Sequence, residues 1–200
     1  MCRKIYSNDN FKSSQWTDLE YEYSAQTHEF LSSHKQYSMT DTNLIEMQKC
    51  YSSLWSVWTI KKIESPIIFA ISFYYNAWTS HYLEQSGVNL SIMLESLFAP
   101  LSNTELSHQI AYNFCWFIGT DIESRRRLYS FCKKFYSLRS KIVHGNVPDQ
   151  NELVTLIPEM FRHCSDVLKK ILLNEELLHI FDDKKKKDEF FKKNIFNHSP

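Results

Sequence analysis

The chain has 200 residues, 23 lysines and arginines against 23 aspartates and glutamates, 43% hydrophobic and 15% aromatic residues. That supplies the apolar material for one packed core and excludes a disordered chain, while a formal charge of zero excludes a protein that seeks polyanions over its whole surface. With 3 glycines and 5 prolines in all, the tight turns of a many-stranded sandwich or barrel are missing, so the expected fold class is all-α, a helical bundle.

The N-terminal stretch from Met1 to Lys12 carries charge and no apolar run. The longest apolar run, Pro66 to Trp78, is interrupted by polar residues and too short to span a bilayer. The expectation is a soluble, cytoplasmic protein that does not enter the membrane. Five cysteines, widely spaced and with no Cys-x-x-Cys pair, do not suggest a disulfide scaffold or a zinc ribbon. Cys115 and Cys132 fall inside apolar helical patterns and read as small hydrophobes. The eight histidines show no ligand spacing, so no metal or other cofactor is expected.

In chain order, Ser14–Ser33 and Thr40–Lys62 read as an amphipathic helical pair. In the second, Thr40, Asp41 or Thr42 caps the start, and Leu44, Met47, Tyr51, Leu54, Trp55 and Trp58 recur at helical spacing. Six acids against two lysines between Gln15 and Cys50 mean that this pair faces water or a basic surface. Pro66 opens a third helix expected to run toward Gln85, to stop near Gly87 and, being apolar nearly all round, to lie centrally. A short helix over Asn89–Phe98 is ended by Pro100, and another begins at Ser102 or Asn103 and ends near Gly119. Asp121 starts a helix that reaches His144 and is closed by Gly145. A last long helix spans Gln150–Phe181, with Pro158 in its early turns. The division is a helical extension over 1–63, a helical domain over 64–181, and a charged, flexible tail over 182–200.

The Asp121–His144 helix carries two apolar stripes. Leu128, Phe131, Phe135, Leu138 and Ile142 form one; Tyr129, Cys132, Tyr136, Arg139 and Val143 lie roughly 90–100° round from it. The second stripe calls for a cover, either another helix of the bundle or the same helix of a second copy. From Asp121 to Gln150 seven basic residues face three acids. Among them Arg125, Arg126, Lys133 and Lys134 are candidates for holding RNA phosphates.

The end of this helix reads Phe135-Tyr136-Ser137-Leu138-Arg139-Ser140-Lys141-Ile142-Val143-His144-Gly145. The string Tyr-x-x-Arg-Ser-Lys-Ile-Val-His-Gly resembles the signature of the HEPN superfamily, in its ApeA-like branch. The resemblance extends back through Leu94-Glu95-Ser96-Leu97-Phe98 and covers about Ile67 to Leu177. It implies an all-α domain that forms a homodimer. It also implies a metal-independent endoribonuclease in which Arg139 and His144 from two copies build the site, set in a toxin or anti-phage defence system.

The residue types suit such chemistry. A guanidinium fork binds the scissile phosphate and stabilises charge in the transition state, and an imidazole moves a proton to or from the ribose 2′-hydroxyl or the leaving 5′-oxygen. Ser140, Lys141 and Glu95 are candidate supporting residues. Five residues along a helix correspond to about 140° of rotation, so Arg139 and His144 of one copy do not project side by side, which favours a two-fold partner. A non-catalytic nucleotide- or RNA-binding and dimerisation module, or a helical adaptor without affinity for nucleic acid, remain the alternatives.

Overall fold

Eight helices, and no strand, make up residues 40–61, 65–101 and 106–196, which a computed structural model of the chain describes. The expected helix over Ser14–Ser33 and the start of the one expected at Ser102 or Asn103 lie outside these residues. Helix α1 (Asp41–Lys61) begins where Thr40 and Asn43 exchange bonds: the Asn43 amide donates to Thr40 Oγ1 at 3.3 Å and the Thr40 amide to Asn43 Oδ1 at 3.1 Å. Its spacing is helical as read, but its apolar face stays largely in water. Val57 is buried, whereas Leu44, Met47, Tyr51, Trp55 and Trp58 are exposed. Glu46 pairs with Lys169 at 2.6 Å.

Helix α2 (Pro66–Trp78) has Ser65 as N-cap and Pro66 in its first turn. It ends seven residues before the expected Gln85. Residues 79–82 break the path, and α3 (Leu83–Phe98) begins there rather than at Asn89. Gly87, expected as a stop, lies inside α3. A Cβ at that position would stand 2.8 Å from Ile157 Cδ1, so the missing side chain lets α3 and the later helix close together. The central helix is therefore α3, with Leu90, Met93, Leu94, Leu97 and Phe98 fully buried, while α2 leaves Phe69, Tyr75 and Trp78 exposed.

Helix α4 (Leu106–Ile118) stops before Gly119, and α5 (Ile122–Val143) follows. Asp121 and Ser124 form a reciprocal capping box at the start of α5. Its C-terminus is a Schellman turn: Gly145 (φ 74°) donates to Ile142 O at 3.0 Å and Asn146 to Lys141 O at 2.9 Å. The second stripe of α5 is covered within the same chain. Cys132 and Tyr136 are buried, and Tyr136 Oη donates to Ser91 O of α3 at 3.4 Å.

The long helix expected over Gln150–Phe181 is two. Helix α6 (Gln150–Leu172) carries Pro158 without ending, the chain turns at Leu173, and Asn174 caps α7 (Glu175–Phe181) by accepting from the Leu177 amide at 3.0 Å. The expected flexible tail is, over 184–196, helix α8 (Lys184–Phe196). Phe191 joins a cluster with Phe98 at 5.8 Å and Phe181 at 5.8 Å between ring centroids, and Phe190 lies 6.0 Å from Phe181. Burying this aromatic pair overrides the solvation of the surrounding charges. Two lysines distant in sequence then satisfy orphan carbonyls at helix C-termini. Lys187 Nζ donates to Ser96 O of α3 at 2.6 Å and Lys170 Nζ to Phe117 O of α4 at 2.6 Å.

Candidate functional site

The last two turns of α5 and the turn after them carry the residues singled out in the sequence. Leu138 is buried and points into the core, which leaves Arg139 on the flank toward α3 and Ser140 in solvent. Arg139 Nη2 stands 3.7 Å from Glu95 Oε1, with the two side chains 32% and 28% exposed. Its Nε is buried without a hydrogen-bond partner. Burial pushes the Glu95 carboxyl above its usual range, and the guanidinium opposes that rise. The pair is thus partly desolvated, at the edge of the core.

His144 is the C-cap of α5 and is exposed; its amide donates to Ser140 O at 3.1 Å. The Schellman turn at Gly145 satisfies the carbonyls of Lys141 and Ile142 with backbone amides, so the imidazole is not needed as a cap. Val143 and Val147, close to it in the chain, are exposed apolar side chains. Lys141 is tied to Glu152 at 2.9 Å, which anchors the end of α5 to the start of α6.

The four candidate RNA-binding residues do not form one patch. Arg125 is half-buried, with its Nε donating to Gly119 O at 3.2 Å and its guanidinium 5.9 Å from the centre of the Trp116 ring. Lys133 reaches Ser107 Oγ of α4 at 3.4 Å. Arg126 and Lys134 are exposed. Arg126 shares Glu123 with Arg127, at 4.0 and 3.5 Å. On a helical wheel Arg125 and Lys134 are about 180° apart.

Cys115, Cys132 and Cys164 are buried packing residues. Burial pushes the Cys115 thiol up to about 11 and the Cys132 thiol to about 12, so neither supplies a thiolate nucleophile near neutral pH. Among the described residues no group of three or more His, Cys, Asp or Glu side chains is arranged to hold a metal ion, and no helix is long and apolar enough to cross a membrane.

Lys187 and Asp188 were not legible as interior groups. Each is nearly fully buried, at 4% and 6% exposure. The available signal was their spacing of four and three residues from Phe191, which puts all three on one face of a helix. Comparison with known proteins gives no further guide to the site, since no family model, no curated protein and no solved structure matches the chain.

Proposed function

We propose that this chain is a metal-independent endoribonuclease of the HEPN type, acting in the cytoplasm as a homodimeric toxin or anti-phage defence effector. The observation that carries the reading is the placement of Arg139 and His144. Both reach the surface at the C-terminal end of α5, the guanidinium oriented by Glu95 and the imidazole exposed on a rigid turn. Exposed Val143 and Val147, one and three residues from His144 in the chain, support a partner copy seated there, which brings the partner's motif to the same phosphodiester.

In the proposed reaction an imidazole takes the proton of a ribose 2′-hydroxyl and the 2′-oxygen forms a bond to phosphorus. The bond to the 5′-oxygen breaks, and that oxygen leaves with a proton. The products are a 2′,3′-cyclic phosphate and a 5′-hydroxyl. Arg139 binds the phosphate oxygens and meets the charge of the transition state. DNA, without the 2′-hydroxyl, is inert by this route.

The test is incubation of the purified chain with total RNA in chelator. Fragments ending in 2′,3′-cyclic phosphate are expected, with His144→Ala and Arg139→Ala each slower by a factor on the order of 100 or more at unchanged helicity. Equal cleavage by both variants and the wild type overturns the assignment. RNA retained but uncut by the wild type points instead to a binding module.

A further inference from the structure

A cleft of about 590 Å³ opens where the starts of α2 and α8 meet the end of α3, a size that suits a small organic ligand. Pro66, Phe69, Pro100 and Leu101 supply apolar walls, and Phe69 is 43% exposed. Lys184 and Lys187 of α8 and Glu95 of α3 supply the charge.

The buried ammonium of Lys187 is incompletely served. It has three donors, and its hydrogen bond runs to Ser96 O. Asp188, its neighbour on α8, is already engaged by Lys192 at 2.6 Å and by the Leu101 amide at 3.2 Å. Glu95, which also lines the cleft, is paired with Arg139 at 3.7 Å. Among the described residues no carboxylate lies within ion-pair distance of Lys187. A buried charge without a counter-ion is costly, and an anion entering the cleft would supply one, with exposed Lys184 beside it.

We infer that this cleft binds a small organic anion with a flat apolar body, the anionic group on Lys187 and Lys184 and the body against Phe69, Pro66 and Leu101. The assignment is independent of the ribonuclease reading. The charged groups around Lys187 are Lys184 and Asp188 on its own helix, Glu95 across the cleft, and Asp182, which bonds Ser65 at the rim. Burial brings the Lys187 amine down to about 8. A bound anion favours the ammonium, so binding takes up protons at pH 8.5.

The experiment is calorimetric titration of the full chain at pH 8.5, in two buffers of different ionisation heat, with 2-naphthoate and with adenosine monophosphate as probes. The expected result is one-to-one binding of at least one probe with proton uptake, weakened tenfold or more by Lys184→Glu and severalfold by Phe69→Ala. Both substitutions are at exposed side chains. Binding of the carboxylate alone, or of the phosphate alone, identifies which anion the cleft takes. Failure of both probes to bind the wild type at millimolar concentration, or binding that Lys184→Glu and Phe69→Ala leave unchanged, overturns the inference.

Discussion

Helices α5 and α8 are the two lysine- and arginine-rich helices of the molecule, and they treat their charges in opposite ways. On α5 Arg126, Arg127 and Lys134 stand on the water side of two apolar stripes and are exposed. On α8 a lysine and an aspartate are drawn inside because they share a face with Phe191, which enters a cluster of four further phenylalanines and Trp116. A run of charge in a sequence therefore reports composition, while the aromatic residues around it decide its depth.

That contrast can be broken most directly at Phe191. Phe191→Ala is expected to cost about 3–5 kcal/mol in urea unfolding, because the ring is buried among several others. A loss below about 1 kcal/mol would mean that α8 is not part of the core.

Next in size is a pH effect at Lys187. Its amine is brought to about 8 in the folded chain from an ordinary 10.5. Between these values the unfolded chain binds more protons, so stability rises with pH across this window. The gain of the wild type over Lys187→Met between pH 7.5 and 10.5 is expected to reach up to about 3 kcal/mol. Parallel stability curves would contradict the buried ammonium.

On α5 the effects are smaller. Tyr136→Phe removes the bond to Ser91 O, with an expected loss of about 1 kcal/mol in the same assay. Lys134→Ala, on an exposed side chain, should stay within about 0.5 kcal/mol. A large loss there would remove the distinction between the two helices.

The boundaries of α5 were readable because both of its ends are written locally. Asp121 caps through its own side chain, and Gly145 supplies a backbone conformation that few other residues adopt. The break between α2 and α3 carries no glycine or proline, and Gly87 serves helix packing rather than a turn, so periodicity alone joined the two. The divide at Leu173–Asn174 was likewise hidden, since one asparagine cap is a weak mark inside an apolar run. At the candidate site, Glu95, named in the sequence only as a supporting residue, stands 3.7 Å from Arg139. The spread of Arg125 and Lys134 to opposite sides of the helix follows from their spacing, whereas the engagement of Arg125 and Lys133 by protein groups was not legible, because it depends on where Trp116, Gly119 and Ser107 fall in space.

The turn after His144 has a consequence for how mutational maps of this surface would look. A methyl group added at residue 145 would meet no atom within 4 Å, yet the backbone there sits at φ 74°. Alanine would be disfavoured by torsion alone, by about 1–2 kcal/mol. A saturation screen would thus score position 145 as intolerant although an added methyl group meets no atom of the chain, and a naive reading would promote it to a contact residue. Its intolerance would instead report how firmly the adjacent imidazole is aimed.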